Sequence, residues 1–181
     1  MSVLIRAATE ADLSALTRLD LTYPTDHYLA LERRGQPPEH IFSFRWRSRV
    51  PEKAVAVYAD YALDGLRDAL TRTDLFLVSE IDEEIVGLLM IVVSTWTDAA
   101  EITDLAVGAP HRRQGCGRAL IVAAAEWARQ RGVRLLWVEP RADNAGAIEF
   151  YLSLGFRICA VDADAEGEEG ARVAYMCLAL G

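Results

Sequence analysis

The sequence predicts an α/β sandwich in which a mixed, mostly antiparallel sheet is flanked by helices. Three features predict it. Short runs rich in Val, Ile and Leu alternate with amphipathic runs along the chain. The apolar runs of DLFLVSEIDEEIVGLLMIVVSTW are parted by the acidic Asp82, Glu83 and Glu84, the pattern of an antiparallel hairpin. A further strand, EITDLAV from Glu101 to Val107, leads straight into RRQGCGRAL, a glycine turn that opens an alanine-rich helix.

Taken in order, VLIRA suits a short first strand, and Thr9 with Asp12 three residues on resembles a capping box ahead of the amphipathic ADLSALTRLD. From Leu21 to Val50, tyrosines, prolines, arginines and Trp46 mix without clean periodicity, so this segment reads as helix fragments and loops. Pro51 suits a first helical turn, and Ala54, Tyr58, Tyr61, Leu66 and Leu70 then fall at helical spacing, which predicts a helix from Pro51 to about Arg72. After the hairpin and the EITDLAV strand, Gly115 to Gln130 is a helix apolar on more than one side, through Leu120, Ile121, Ala124, Trp127 and Ala128. It packs between layers, with Gly132 as its stop. LLWVEP is a short buried strand, DNAGAIEFYLSLGF a helix closed by Gly155, and FRICAVD with ARVAYMCLAL a strand pair around the acidic turn DADAEGEEG. No repeat or flexible linker interrupts the order, and residues 1–181 read as one domain.

Composition narrows the function classes. The chain has 181 residues, 52% hydrophobic and 25% charged. A domain of that size buries roughly 70% of its unfolded surface. A formal net charge of −8 repels nucleic acid and favours encounter with cationic molecules. No apolar run approaches the ~20 residues of a membrane span. MSVLIRAATE lacks the apolar core of a signal peptide. The expectation is a cytoplasmic protein that binds neither nucleic acid nor membrane. Cys116, Cys159 and Cys177 are odd in number and show neither CxxC nor metal-ligand spacing, so neither a disulfide nor a metal site is expected.

The glycine loop carries the chemistry. A strand that feeds a glycine turn and then a helix presents free backbone N–H groups at the positive end of the helix dipole, a site for anionic phosphate. A P-loop needs GK[ST], but Gly117 is followed by Arg118 and Ala119; a dinucleotide fingerprint needs a third glycine, where Leu120 stands. What remains is [R/Q]xxGxG, met by Arg112, Gly115 and Gly117, with DLAV before it and N-x-x-A-x-x-F-Y-x-x-x-G-F from Asn144 to Phe156 after it. In this order and spacing the chain resembles the GNAT superfamily of N-acetyltransferases over roughly its last two-thirds.

The resemblance implies a GNAT fold and acetyl-CoA as co-substrate, with no metal. It implies that backbone amides across Arg113, Gln114, Gly115, Cys116, Gly117 and Arg118 wrap the pyrophosphate, with Arg112 adding positive charge. It further implies that main-chain groups of Leu105 and Val107 bond the pantetheine arm, that Asn144 contacts the coenzyme, and that Tyr151 gives its phenolic proton to the leaving thiolate. The Val107 amide would meet the developing oxyanion. Tyr151 also suits an aromatic core position, and Cys116 has no histidine partner that would make it a nucleophile.

Acetyl transfer needs a neutral amine, and an amine with a pKa of about 10.4 is neutral in only roughly one molecule in 2,500 at pH 7. Glu101, six residues before Val107, has the spacing of the catalytic glutamate in the histone-acetyltransferase branch, and Asp98 and Asp104 are the next candidates for the base. Period-two alternation puts Glu101, Thr103, Leu105 and Val107 on one face and Asp104 on the other. VVSTWTDAAEITDLAV, EWARQRG and GFRICAVD resemble the streptothricin acetyltransferase branch. That resemblance implies a small cationic amine as acceptor, held by Trp96, Asp98 and Glu101. Trp96 also suits a core position. A protein acetyltransferase and a catalytically silent acyl-CoA-binding module are the alternatives, and a homodimer is common in the superfamily.

Overall fold

The computed structural model describes residues 2–35, 41–55, 62–161 and 173–181. In chain order the elements are β1 (Leu4–Ala7), a 3-10 turn (Glu10–Asp12), α1 (Leu13–Leu16), β2 (Tyr23–Arg34), β3 (Ile41–Val55), α2 (Leu63–Arg72), β4 (Leu75–Ile81), β5 (Glu84–Val93) and β6 (Ala99–Val107). There follow a second 3-10 turn (Ala109–His111), α3 (Cys116–Gln130), β7 (Leu135–Val138), α4 (Ala145–Ser153), β8 (Arg157–Val161) and β9 (Ala174–Ala179). The chain divides into two compact units, one of Met1–Thr22, Ala56–Val138 and Leu178–Gly181, the other of Tyr23–Val55 and Glu139–Cys177.

In the first unit β1, β4, β5, β6 and β7 lie side by side in that order. Each of the first four runs antiparallel to its neighbour, and β7 runs parallel to β6. The β4–β5 hairpin closes over Asp82 and Glu83, which take φ of 49° and 67°, the left-handed pair that a tight two-residue turn between twisted strands requires. Cross-strand partners share a face, which sorts the core. Val78, Leu88, Met90 and Ala106 join Leu13 and Leu16 of α1 and Leu66 of α2 in one buried cluster, while Val107 packs with Ile81, Val86 and Cys116 of α3 in another. The helices therefore cover both faces of the sheet.

The N-terminal capping signal is realised: the Asp12 carboxylate accepts from the Thr9 N–H at 2.8 Å and from its hydroxyl at 2.9 Å. Arg6 grips the same carboxylate with bonds of 2.7 and 2.8 Å and reaches Glu80 at 3.1 Å, tying β1, the 3-10 turn ahead of α1, and β4 together. The Arg6 guanidinium, helped by the Thr9 bonds and against the cost of burial, holds the Asp12 carboxyl down at about 2.

The second unit corrects the reading of residues 21–50. They form no helix fragments; β2 and β3 are a long antiparallel pair. Tyr28 faces Arg47, Ala30 faces Arg45 and Glu32 faces Ser43 on one side, while Leu29, 3% exposed, faces Trp46 on the other. Glu32 holds Arg34, Arg45 and Arg47 around it. Phe42, Phe44 and Trp46 alternate with Ser43, Arg45 and Arg47, and Leu29 and Leu31 with Ala30 and Glu32, a period-two pattern obscured by the prolines and arginines around it. The helix expected from Pro51 begins at Leu63 instead: residues 51–55 continue β3, and Tyr58 and Tyr61 lie outside the described residues. The Pro51 signal marks a strand rather than a first helical turn.

β8 and β9 pair antiparallel, with a bulge between Ile158 and Ala160. This brings Cys159 and Cys177 within a Cα separation of 6.5 Å and joins them in a disulfide, against the sequence expectation. Two thiols 18 residues apart carry no spacing signal, because strand pairing rather than sequence proximity unites them. The acidic turn DADAEGEEG lies outside the described residues. Among the described residues no helix is long and apolar enough to cross a membrane.

Candidate active site

The site in the first unit is built where β6 ends. The Gly108 N–H donates to Val86 O at 2.9 Å. In an antiparallel pair the residues that bond toward one neighbour alternate with those that bond toward the other, so Ala106 turns its peptide groups to β5, and Leu105 and Val107 turn theirs to the opposite edge. β7 covers that edge only from Ala99 paired with Leu135 to Ile102 paired with Val138. Beyond Ile102, among the described residues, no strand pairs with it. The Val107 carbonyl accepts from Arg112 Nε at 3.1 Å, and the Val107 N–H and the Leu105 peptide groups line the uncovered edge.

The loop that follows is held by its own side chains. Arg112 donates to the Val107 carbonyl and, through Nη1, to the Thr22 carbonyl at 2.7 Å; Gln114 Nε2 donates to Pro110 O at 3.1 Å. These two residues staple the turn, and the Arg112 guanidinium, bonded to neutral carbonyls, keeps its positive charge beside the loop. Arg113 and Gly115 adopt φ of 66° and 91°, folding the backbone so that successive N–H groups converge. The first helical bond of α3 runs from the Ala119 N–H to Gly115 O at 2.9 Å, so the N–H groups of Cys116, Gly117 and Arg118 precede the ladder, and no side chain caps them. A Cβ built on Gly115 meets nothing within 4 Å, so open space stands before the uncapped helix end. The donors, the dipole and the space together suit a pyrophosphate. Cys116 is 1% exposed, and burial pushes its thiol above the ordinary range, which is the opposite of nucleophile activation.

β6 also corrects the expected alternation. Met90 pairs with Asp104 and Ile91 with Ile102, which leaves Thr103 as an extra residue in a bulge. Val92 pairs with Glu101, and along β5 the positions 88, 90 and 92 share a face. Glu101 and Asp104 therefore lie on one face, the side of the sheet that α1 and α2 cover, and Leu105 and Val107 lie on the other. Both acids are partly buried. The β5–β6 turn presents Trp96, 93% exposed, so it is not a core residue. Its N–H donates to Ser94 Oγ at 3.2 Å, and the Asp98 carbonyl accepts from the Arg134 N–H at 2.7 Å, anchoring the turn to the segment that enters β7.

Gly87 was not singled out in the sequence, though an isolated glycine inside a strand is a signal for close backbone approach. A Cβ there would stand 2.7 Å from the Ala106 carbonyl and 2.8 Å from Ser79 Oγ, so only glycine lets β6 pass at this register.

In the second unit Asn144 caps α4: its Oδ1 accepts from the Ala147 N–H at 3.0 Å. Two turns on, Tyr151 is 5% exposed beside Ile148, with its ring 5.1 Å from Phe156 and 5.3 Å from Phe150. Tyr151 is thus packed by aromatics on its ring.

A scan of protein families matches residues 36–156 to the acetyltransferase (GNAT) family. The chain belongs to that family. Its acetyltransferase fold and activity class follow from this membership. The chain is 30% identical to a streptothricin acetyltransferase of Streptomyces lavendulae, over 96% of this chain and 93% of the relative. It is 48% identical over 59 residues to the ribosomal protein bS18 alanine N-acetyltransferase of Escherichia coli strain K12, covering 33% of this chain and 40% of that one. Among solved structures, a nourseothricin acetyltransferase superposes with a TM-score of 0.81 at 26% identity over the whole of both chains. A putative streptothricin acetyltransferase from Bacillus anthracis str. Ames, solved with acetyl coenzyme A, superposes with a TM-score of 0.81 at 23% identity over 99% of each chain, a likeness of fold.

Proposed function

We propose that this acetyltransferase moves the acetyl group of acetyl-CoA to a primary amine of a small cationic acceptor of the streptothricin type, by direct attack within a ternary complex. The observation that carries the acceptor is likeness along nearly the whole chain to a streptothricin acetyltransferase, 30% identical over 96% of this chain. The net charge of −8 and the exposed Trp96 beside Asp98 support a cationic guest.

When bound, acetyl-CoA supplies an activated acyl carbon. The protein's part is to bind, orient and move protons. The N–H groups from Arg113 to Arg118 hold the pyrophosphate, and the Leu105 peptide groups, beside Val107 on the uncovered edge, take the amide-bearing arm as a neighbouring strand would. Val107 N–H meets the charge that develops on the thioester oxygen. Asn144 contacts the coenzyme, and Tyr151 protonates the departing thiolate. Glu101 takes the proton that the acceptor ammonium must lose, with Asp104 on the same sheet face keeping local potential negative.

The experiment is a comparison of kcat/KM, followed as thiol release from acetyl-CoA, for streptothricin and for a short peptide with an N-terminal alanine. Streptothricin preferred by orders of magnitude is the expected result. A preference for the peptide would favour the second reading, N-terminal protein acetylation, which the 48% identity over 59 residues to the bS18 enzyme supports.

A further inference from the structure

The segment that enters α4 is held more firmly than its short helix requires. The Leu29 N–H of β2 donates to the Ala142 carbonyl at 2.8 Å, and the Ala174 N–H of β9 donates to the Pro140 carbonyl at 2.9 Å. Arg141 forms an isolated bridge with Val173. Its guanidinium closes on Asp143 in a fork, Nε to Oδ1 at 3.0 Å and Nη2 to Oδ2 at 2.9 Å. The Tyr23 hydroxyl of β2 donates to the same Oδ1 at 3.1 Å. The Asp143 side chain is 12% exposed, Tyr23 7% and Arg141 35%, so this is a half-buried polar network in which each partner satisfies another. Next in the chain, the Asn144 N–H donates to the Arg141 carbonyl at 3.0 Å and Asn144 caps α4.

Burial, and then the Asp143 charge, push the Tyr23 hydroxyl up to about 12, so it keeps its proton and donates at any physiological pH. The bracket therefore has one protonation pattern, a neutral phenol and a guanidinium converging on one carboxylate. It is a fixed support, not a switch.

We infer that Tyr23, Asp143 and Arg141 are positioning residues for the reaction, setting the start of α4 so that Tyr151 is presented in register. The lever is simple. α4 has nine residues, so its direction follows from the packing of Ile148 and Tyr151 together with how its capped first turn is held. Tyr151 lies seven residues beyond Asn144, about 10 Å along the helix at 1.5 Å per residue. A tilt of about 5° at the cap moves it by roughly 1 Å, a displacement that can cost on the order of a hundredfold in rate. β2 supplies the phenol, so the strand pair misread from sequence contributes directly to the geometry of α4.

This inference rests on the reading of Tyr151 as the proton donor, and the test separates the two. Tyr23→Phe removes one hydroxyl and keeps the ring. Turnover with acetyl-CoA and whichever amine of a panel the wild type acetylates is measured for wild type, Tyr23→Phe, Tyr151→Phe and the double variant, with KM for acetyl-CoA and thermal melts alongside. Tyr23→Phe is expected to lower kcat about tenfold with KM changed much less. In the Tyr151→Phe background the same change is expected to lower kcat no further, because its effect passes through Tyr151. Multiplying losses, or an unchanged kcat in Tyr23→Phe where Tyr151→Phe is impaired, would overturn the bracket and leave the role of Tyr151 standing. An unchanged kcat in Tyr151→Phe would overturn both. Asp143→Asn, which keeps the shape and weakens the fork, is expected to show the same non-additivity if Tyr23→Phe folds poorly.

Discussion

Gly115 and Gly132 form a matched pair at the two ends of α3, and replacing each by alanine isolates what the loop does. Both have positive φ, 91° and 73°, and a Cβ on either meets nothing within 4 Å. The backbone penalty for alanine in that region is about 1–2 kcal/mol. In a chain of this size 1 kcal/mol moves the melting temperature by roughly 2–4 °C, so each variant should melt about 2–8 °C lower. Binding should part them. At Gly115 the new methyl enters the open space before the uncapped N–H groups, where the pyrophosphate is proposed to lie. Loss of one charge-assisted hydrogen bond, about 1.5–3 kcal/mol, raises Kd for acetyl-CoA by roughly 10- to 150-fold. Gly132 is far along the helix from that end, and its variant should bind as the wild type does. Calorimetric titration with acetyl-CoA and melts of all three proteins make the assay. Equal affinities in the two variants, with equal losses of stability, would refute the placement of the pyrophosphate.

Other outcomes follow from the same contacts. Asp12 is held at about 2 against an ordinary 3.8, so its ion pair with Arg6 stabilises the fold fully above about pH 4 and is lost as pH falls toward 2. The effect is about 2 kcal/mol, and Asp12→Asn should abolish that part of the acid-unfolding profile. Glu101→Gln should lower turnover on the order of a hundredfold near neutral pH and progressively less at alkaline pH, where the acceptor amine loses its proton unaided; unchanged turnover at every pH would exclude Glu101 as the base. The Cys159–Cys177 disulfide closes a loop of 18 residues, worth about 3 kcal/mol in the chain-entropy account. Dithiothreitol should lower the melting temperature of the wild type and leave a Cys159→Ala, Cys177→Ala double variant unmoved.

The parts legible in the sequence were those where local chemistry and fold agree. The acidic turn at Asp82 and Glu83, the glycine at 115 with its left-handed backbone, and the capping box of Thr9 and Asp12 all act within a few residues of the signal. The parts that were not legible depend on pairing across the chain. β2 and β3 do alternate, Leu29 and Leu31 in one and Phe42, Phe44 and Trp46 in the other, but Pro24, Pro37, Pro38 and Pro51 and the arginines around Glu32 break up the pattern, and the pairing of the two strands settles it. The face of Glu101 is reversed by the Thr103 bulge, which only the partner strand β5 reveals. The stapling bond from Arg112 to the Thr22 carbonyl joins residues far apart in the sequence, so only the folded chain reveals it. The disulfide belongs to the same class, joined by the β8–β9 register.

The central claim is that this family member transfers acetyl groups to a small cationic amine. The most direct test is mass spectrometry of a mixed panel of streptothricin, aminoglycosides, polyamines, free lysine and short peptides after incubation with the protein and acetyl-CoA. Streptothricin carrying one added acetyl group, with the peptides unmodified, is the predicted result. Acetylated peptide with streptothricin untouched, or tight acetyl-CoA binding with no amine modified, would contradict it.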